Sequence, residues 1–385
     1  MMTEQEHNNV QWRKVRFDQF FDMLPTNTLS RDKLNNQQGE YQNIHYGDVL
    51  IKYPFCLDCN NAEIPYINDG VKFNMAEVRD GDVIFADTAE DDTVGKCVEM
   101  LNVGDRKIVS GLHTYFCRPR HEMALGYLGY YLNSNHFHNQ LLPYIAGSKV
   151  SSVNRTSIAR TFISYPADLS AQRRIAAILA SADKVIAATQ KTIAKYKQMK
   201  QGMMEELFNE QCTMNNVQWR KVRLEECLTI GNGQDYKHLQ SGEIPVYGTG
   251  GVMTYVDDYL YDGETVCIGR KGTINKPIYH TGKIWTVDTL FYTHSFVGVV
   301  PLFIYYIFCN VDWNKYNEAT GVPSLSKETI YKIEISIPDL AEQRRIAAIL
   351  SGIDAKIAAE EKVLEKYEKV KKGLMERLLE EENER

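Results

Sequence analysis

The residues best suited to bind a partner lie in loops that combine glycine with charged or polar side chains. Gly269-Arg270-Lys271-Gly272-Thr273 places a guanidinium and an ammonium group between two glycines, and G-T-G-G at 248–251 is a second glycine-dense loop. Glycine has no Cβ, so it lets the backbone of such a loop approach a partner closely. These loops therefore indicate binding chemistry; a structural turn that carries a surface arginine is the alternative.

Two further loops share a composition. AGSKVSSVN at 146–154 and TGVPSLSKE at 320–328 each carry a glycine followed by serines and a basic residue, and each lies shortly upstream of a predicted helix entrance. The shared order predicts equivalent loops in two related domains.

One pair of cysteines has the spacing of half a metal site. Cys56 and Cys59 form a CxxC, but a zinc site needs two more ligands and the sequence has no second CxxC. We expect no metal and interpret the pair as small apolar residues beside a turn. The eight cysteines show no paired framework, which is typical of a reducing cytoplasm.

Catalytic motifs of several classes are missing. Gly95-Lys96 and Gly282-Lys283 are followed by Cys and Ile, not by the Ser or Thr of a phosphate-binding P-loop. No two prolines are adjacent, so the Asn-Pro-Pro-aromatic motif of amino-methylating enzymes is absent, and neither Gly-x-Ser-x-Gly nor His-Glu-x-x-His occurs. We interpret triplets such as Glu360-Glu361-Lys362 as solvated helix charge and not as nuclease ligands. The sequence favours a binding protein.

Composition limits the class of protein further. A chain of 385 residues with 44% hydrophobic content predicts two or three globular domains. The formal net charge is -6 and no segment is strongly basic, so a nucleic-acid site would have to be a local patch. No apolar run is long enough to span a membrane, and the start MMTEQEHNN lacks a signal-peptide pattern. We therefore expect a cytoplasmic protein.

The elements that position these loops are duplicated. QRRIAAIL occurs at 172–179 and again at 343–350, an offset of 171, and N-N-V-Q-W-R-K-V-R occurs at 8–16 and 215–223. Two long-period copies predict a duplicated pair of domains with approximate two-fold symmetry.

Each octapeptide begins a long amphipathic helix. A proline precedes it, and Asp168 or Asp339 can bond the free amides of the first turn. Apolar residues then recur at steps of four and three, which predicts an antiparallel coiled coil of two helices of about 40 residues. The alternative is that each helix lies on its own domain. The predicted helix–helix packing residues are Ile175, Leu179, Ile186, Ile193, Tyr196, Leu207, Ile346, Leu350, Ile357, Leu364, Tyr367 and Leu378.

Polar residues interrupt that apolar stripe at the same places in both copies. Thr189 and Lys200 in the first helix correspond to Glu360 and Lys371 in the second. Such interruptions commonly fix the register of a coiled coil at some cost in stability.

The predicted fold is α+β. Two mixed domains, 1–167 and 212–337, alternate with a central helix at 168–211 and a C-terminal helix at 338–385. Strands are predicted after turns at 46–51, 80–86 and 261–269, and short helices at 123–139 and 302–313. The symmetry predicts a cyclic arrangement with adjacent termini, in which Trp219 docks near the end of the first helix and Trp12 near the end of the second.

The order of parts resembles the specificity subunit of type I restriction-modification systems. The resemblance is carried by P-D-L-x-x-Q-R-R-I-A-A-I-L at Pro338 and by the same run at Pro166 with one extra residue after the proline. It is also carried by I-P-V-Y-G-T-G-G at 244–251, G-R-K-G-T at 269–273 and T-G-V-P-S-L-S-K at 320–327. The first half follows the pattern less closely, with G-D-V-I-F-A-D-T at 81–88 in a corresponding place.

The resemblance implies a non-catalytic subunit that binds double-stranded DNA. Each domain would read one half of an asymmetric, two-part target, and the helices would set the gap and dock methyltransferase subunits, usually two. Those partners would bind S-adenosylmethionine and flip the target adenine, and restriction subunits would use ATP. No cofactor is expected in this chain.

Within this resemblance the loop residues become candidates for DNA contact. Arg270 can read guanine with two parallel hydrogen bonds, whereas Lys271 and Thr273 fit a phosphate contact. Asp87 and Thr88 lie at roughly the place of the Arg270 loop and either accept from cytosine or close a turn. The remaining candidates are Ser324 and Lys327 in the second domain and Lys149, Ser151, Asn154 and Arg155 in the first.

Two rival functions stay open from the sequence. One is a coiled-coil scaffold that recruits protein partners without DNA specificity. The other is a nuclease or methyltransferase with unrecognised residues.

Overall fold

The computed structural model describes residues 11–68, 75–91, 93–147, 150–208 and 218–380. The chain divides into two compact units, one formed by Met1–Gln190 with Val363–Arg385 and the other by Lys191–Lys362. Each unit holds one globular domain and part of both long helices. The four predicted segments follow the order of the chain, whereas the units follow contacts, so the segment boundaries stay predictions.

The first globular domain mixes short strands and helices. Its strands are β1 Trp12–Arg16, β2 Phe21–Leu24, β3 Leu34–Asn35, β4 Gln42–Ile44, β5 Cys56–Asp58, β6 Tyr66–Ile67, β7 Val83–Ala86, β8 Thr88–Ala89, β9 Cys97–Leu101, β10 Ile108–Ser110, β11 Thr114–Pro119, β12 Ser151–Ser152 and β13 Phe162–Pro166. Its helices are α1 Phe17–Phe20, α2 Tyr46–Ile51, α3 Tyr127–Leu132, α4 Asn135–Leu141 and α5 Arg155–Ile158, and α6 Leu169–Leu207 follows.

Two sheets form the body of this domain. A five-stranded sheet has the order β2-β11-β7-β9-β5, and a four-stranded sheet has the order β10-β4-β6-β3. Strand β7 shows why its sequence is apolar throughout: Val83 and Phe85 join one core cluster, while Ile84 and Ala86 join another. A strand that is covered on both faces reads as a continuous hydrophobic run.

The strand predicted at 46–51 is wrong, because these residues form helix α2. The side chain of His45 caps the helix by accepting from the backbone N–H of Gly47 at 3.2 Å. Val49 is buried whereas Ile51 is 89% exposed. In a strand these two residues would share one face, so tertiary packing selects the helix.

The helix predicted at 123–139 is interrupted. Its residues form α3 and α4, separated at Asn133 and Ser134. The Asn133 side chain accepts from the Cys97 N–H at 3.0 Å and donates to the Cys97 carbonyl at 2.9 Å, which ties this point to β9. Ser134 then caps α4 by accepting from the Phe137 N–H.

The second globular domain has longer strands. Its elements are β14 Arg220–Arg223, α7 Leu224–Cys227, β15 Thr229–Asn232, β16 Ser241–Gly248, β17 Gly251–Val256, β18 Tyr261–Gly269, β19 Ile278–Thr286, β20 Leu290–His294, α8 Pro301–Asn310, α9 Lys327–Tyr331 and β21 Glu334–Ile337, and α10 Leu340–Leu378 follows.

One six-stranded sheet forms the body of this domain, in the order β15-β20-β18-β19-β16-β17. Strand β18 is again covered on both faces, since Val266 and Ile268 join one core cluster and Cys267 joins another. The predicted strands at 80–86 and 261–269 are therefore present as β7 and β18. The helix predicted at 302–313 is α8, with a short 3-10 turn at Trp313–Tyr316.

Helices α6 and α10 are each 39 residues long and begin and end at equivalent positions. The Asp168 carboxylate accepts from the Ser170 N–H at 3.0 Å, and the Asp339 carboxylate accepts from the Glu342 N–H at 2.9 Å. Both predicted N-caps are confirmed. Trp219 packs on the same core cluster as Leu207 and Phe208, which fits its predicted place beside the end of α6. The position of the termini lies outside the described residues.

Within each unit the two helices run antiparallel. In the first unit, Asp183 pairs with Lys371 at 2.5 Å, and Ile175 shares a core cluster with Leu378. In the second, Lys200 pairs with Asp354 at 2.6 Å, and Met204 shares a core cluster with Ile346. The predicted fold class, an α+β chain with two long antiparallel helices, is confirmed.

The predicted packing residues all lie away from solvent to some degree. Ile175, Leu179, Ile193, Ile346, Leu350, Ile357 and Leu378 are buried. Ile186, Tyr196, Leu207, Leu364 and Tyr367 are half-buried. Toward their starts the helices also pack on the domains, because Leu179 and Leu350 belong to the two main domain cores.

The repeated glutamine of QRRIAAIL fastens each helix to its own domain. Gln172 accepts from the Ala124 N–H at 2.9 Å and donates to the Pro166 carbonyl at 2.7 Å. Gln343 accepts from the Val300 N–H at 2.9 Å and donates to the Pro338 carbonyl at 2.9 Å. Both side chains are buried, so the amide satisfies backbone groups that water cannot reach.

Among the described residues, neither long helix nor any other has a stretch apolar enough to cross a lipid bilayer.

Candidate nucleic-acid interface

In the second domain the structure brings two of the predicted loops together. The Leu325 N–H donates to the Arg270 carbonyl at 2.9 Å, and the Gly272 N–H donates to the Pro323 carbonyl at 2.8 Å. Lys271 and Ser324 form an antiparallel bridge. The loop after β18 and the loop before α9 therefore make one surface, although sequence separates them by about fifty residues.

That surface is a cleft of about 670 Å³ with several cationic side chains. Arg270 and Lys271 are exposed. The Arg270 guanidinium and the Lys327 ammonium each lie 5.9 Å from the centre of the Phe291 ring. Burial lowers the pKa of Lys327, and the nearby Arg270 charge lowers it further while Glu328 raises it. The cleft suits an anionic or hydrogen-bond-accepting ligand.

Lys327 also has a structural contact that the sequence did not reveal. Its Nζ donates to the Ile230 carbonyl of β15 at 2.6 Å. Ser324 is half-buried, and its N–H donates to the Asn317 side chain at 2.9 Å. Thr273 is half-buried, and a Cβ on Gly269 would lie 2.1 Å from its carbonyl oxygen. Close packing inside the loop therefore accounts for glycine at position 269.

Gly272, at the far end of the Arg270 loop, borders the glycine-dense loop at 248–251. Gly272 has a φ of +96°, and a Cβ there would lie 3.7 Å from the Thr249 hydroxyl. Gly250 and Gly251 would gain a Cβ in open space, and Gly251 has a φ of +117°. The β16–β17 turn and the Arg270 loop are thus neighbours on one face of this domain.

In the first domain the equivalent loops also meet. Strand β8 pairs with β12, so that Thr88 lies opposite Ser152 and Ala89 opposite Ser151. The Val153 N–H donates to the Asp87 carbonyl at 3.0 Å. Lys149, the lysine among the DNA-contact candidates of this domain, lies outside the described residues.

Asn154 and Arg155 have defined local contacts. Asn154 caps α5 by accepting from the Ser157 N–H at 2.8 Å. Arg155 is exposed and donates to the Met23 carbonyl of β2 at 3.0 Å. Ser326 caps α9 in the second domain by accepting from the Thr329 N–H at 3.1 Å. The two loops therefore end in the same capped helix start, each followed by a cation.

Asp87 is paired with a residue that the sequence did not single out. Its carboxylate lies 3.3 Å from His113 Nδ1, and the Asp87 side chain is 23% exposed. Burial raises the pKa of Asp87, while His113 lowers it. His113 has a φ of +54°, which is uncommon outside glycine and costs backbone strain. Its place before β11 was the only sequence signal, and that signal is weak.

A similar, partly buried contact joins the two helices to the domain in each unit. Asp183 accepts from the Tyr130 hydroxyl at 2.8 Å and pairs with Lys371. Asp354 accepts from the Tyr306 hydroxyl at 2.8 Å and pairs with Lys200. The lysines are two of the polar interruptions identified in the sequence, and the tyrosines add a contact from the domain to the helix pair.

The described residues contain no group of three or more His, Cys, Asp or Glu side chains that could hold a metal ion. Cys59 is buried with its thiol pKa raised to about 11 by burial, and burial also raises the pKa of the Cys56 thiol.

Comparison with known proteins shows what this chain resembles. Residues 216–369 match the family model of the type I restriction modification DNA specificity domain. The chain is 25% identical over 363 residues to a putative type I restriction enzyme MjaX specificity subunit of Methanocaldococcus jannaschii, covering 83% of this chain and 82% of the relative. It is 23% identical over 361 residues to the MjaVIII specificity subunit of the same organism, covering 82% and 83%.

Solved structures agree on the fold. The crystal structure of a type I restriction-modification system S subunit from M. genitalium matches with a TM-score of 0.66 and 16% identity, covering 97% of both chains. A structure from a study of complex assembly and conformational transition of the type I system matches with a TM-score of 0.55 and 17% identity, covering 96% and 97%. The predicted resemblance to type I restriction-modification specificity subunits is confirmed, and the scaffold without DNA specificity is not favoured.

Proposed function

We propose that this chain is the DNA-reading subunit of a type I restriction-modification complex and that each globular domain reads one half of a two-part target. The observation that carries the proposal is the repeated pairing of two loops. In each domain, the same backbone bonds join the same two loops, and different side chains line the result. Two unlike reading surfaces on matching supports fit an asymmetric target, in contrast to the palindrome that a homodimer reads.

The catalytic steps belong to partners. Methyltransferase subunits, two of them, bind the paired helices, carry S-adenosylmethionine and modify adenine, and restriction subunits that use ATP join that complex. This chain binds no cofactor of its own and works in the cytoplasm. The missing catalytic motifs support a non-catalytic role, and the family of the relatives supports the partners.

DNA affinity is assembled jointly in this proposal. The chain has a net charge of -6 and no strongly basic segment, so it neutralises few phosphates alone. We expect weak, salt-sensitive binding by the isolated chain and tight binding by the complex. Tight sequence-selective binding by the chain alone at physiological salt would contradict this division of labour.

The experiment is to co-express the chain with its methyltransferase subunits and to map methylated adenines in the host genome. The expected result is one asymmetric two-part sequence that is modified only when both components are present. The chain alone and the methyltransferase alone serve as controls. Methyl transfer by this chain alone, or modification without sequence preference by the mixture, would overturn the proposal.

A further inference from the structure

The paired loops of the two domains can be aligned residue by residue from their backbone bonds. In the first domain Thr114 pairs with Ala86, and the Asp87 N–H donates to the His113 carbonyl at 3.2 Å. In the second domain Leu290 pairs with Gly269, and the Arg270 N–H donates to the Thr289 carbonyl at 2.8 Å. Asp87 therefore holds the position of Arg270, and His113 that of Thr289.

Contacts from the second loop agree with this alignment. The bond from Val153 to the Asp87 carbonyl corresponds to the bond from Leu325 to the Arg270 carbonyl, at 3.0 and 2.9 Å. Arg155 and Lys327, which follow two positions later, donate to the carbonyls of Met23 and Ile230 on the matching edge strands. Strand pairing and loop contacts thus give the same correspondence.

Charge behaves differently at the two aligned positions. Arg155 and Lys327 are both cations. Asp87 and Arg270 are opposite in charge, although their backbones make the same bonds. A phosphate is identical at every step of DNA, so a phosphate contact keeps its cation, and a carboxylate there would be repelled. Base edges differ between half-sites, and they offer acceptors at guanine and a donor at cytosine.

We infer that the position shared by Asp87 and Arg270 reads a base in each half of the target with opposite hydrogen-bond polarity. Arg270 donates to guanine and Asp87 accepts from the amino group of cytosine, with His113 orienting the carboxylate. Arg155 and Lys327 contact DNA phosphates. This inference rests on the proposed function and adds which side chain in each domain selects a base.

The test uses two amide variants in the complete complex: Asp87→Asn, which is isosteric, and Arg270→Gln, whose side chain is shorter. Asn and Gln pair with adenine through two hydrogen bonds. Asp87→Asn is expected to replace cytosine by adenine at one position of one half-site, and Arg270→Gln to replace guanine by adenine at one position of the other. At that position alone, the preference for the wild-type base over the other bases should fall by roughly 5- to 150-fold. Mapping of methylated adenines gives both consensus sequences.

Two controls and one contrast keep the result interpretable. Glu63→Gln and Lys315→Ala change side chains that are 93% and 76% exposed in the same two domains, and both should leave the consensus unchanged. Arg155→Gln should weaken binding to all sequences alike. The inference is overturned if Asp87→Asn and Arg270→Gln keep the wild-type consensus, or if they weaken all sequences alike as Arg155→Gln does. If the wild-type complex selects no two-part sequence, the proposed function itself fails and this inference fails with it.

Discussion

The two copies of the duplication remain alike in different ways at the paired helices and at the paired loops. At the helices, side chains and their contacts are kept: Gln172 and Gln343 make the same two kinds of bond, and Asp183 and Asp354 each bind one tyrosine and one lysine. At the paired loops, backbone bonds are kept while side chains change. Side-chain identity is therefore retained where two segments of the chain must fit each other, and released where the surface faces outward.

The largest predicted effect tests whether helices α6 and α10 set the distance between the two DNA-reading surfaces. One helical turn inserted at equivalent positions of α6 and α10 adds about 5.4 Å to each helix, or roughly two base pairs of DNA. We expect methylation of the original target to be lost and a target with the same half-sites and a longer gap to be methylated. Methylation of the original spacing by this variant would contradict the role of the helices as a spacer.

Equivalent residues of the two long helices should contribute equally to the free energy of unfolding. Leu179 and Leu350 are fully buried in the two domain cores. Each change to alanine should lower the free energy of unfolding by about 2–5 kcal/mol, because transfer and cavity terms add. Urea denaturation of Leu179→Ala and Leu350→Ala measures both. Costs that differ by more than about 2 kcal/mol, as between well and poorly collapsing sites, would show that the copies no longer pack alike.

The stability of the first domain should depend on pH through one buried carboxyl group, which distinguishes it from the second domain. Glu99 is fully buried and accepts from the N–H groups of Gly126 and Gly129, each at 2.7 Å. Burial raises the pKa of Glu99 to about 7, although these donors lower it. The folded state therefore binds the proton more tightly than the unfolded chain, in which the Glu99 pKa is near 4.5.

The sign of the effect follows from that difference. The stabilising contribution is present below about pH 4.5 and is lost as the pH rises to about 7 and beyond, a change on the order of 3 kcal/mol. Hydrogen exchange of first-domain peptides should speed up between pH 5 and 8 beyond the chemical trend, while second-domain peptides serve as the internal control. Glu99→Gln should abolish the extra dependence; if it persists in that variant, another group causes it.

The sequence predicted the retained region better than the changing one. Helices α6 and α10 were predictable because a long apolar stripe occurs twice and a proline and an aspartate mark each start. Residues 46–51 were not, because a six-residue segment reads equally well as strand or helix until its neighbours decide. His113 was missed because neither its strained backbone nor its contact with Asp87 is local in sequence.

For the predicted contact loops the outcome was mixed for a similar reason. The sequence marked Arg270 and Lys271 through flanking glycines, and it placed Asp87 near the equivalent position. It could not show that Arg155 and Lys327 contact edge-strand carbonyls, since each contact joins residues about a hundred positions apart or more. Whether these side chains read bases stays a prediction.

The smallest predicted effect concerns the register contact. Lys371 and Asp183 have side chains that are 18% and 32% exposed, whereas Lys369 and Glu365 on α10 are 75% and 65% exposed. A double-mutant cycle with alanine at Lys371 and Asp183 should give a coupling energy of about 1–2 kcal/mol, because the pair is partly desolvated and Tyr130 holds the second carboxylate oxygen. The Lys369–Glu365 cycle is the matched control and should give about 0.3–0.5 kcal/mol. The equivalent cycle at Lys200 and Asp354 should match the first, because the same three residue types meet there. Coupling as small as in the control would mean that the polar interruptions of the stripe do not fix the register, and that apolar packing alone keeps the two copies aligned.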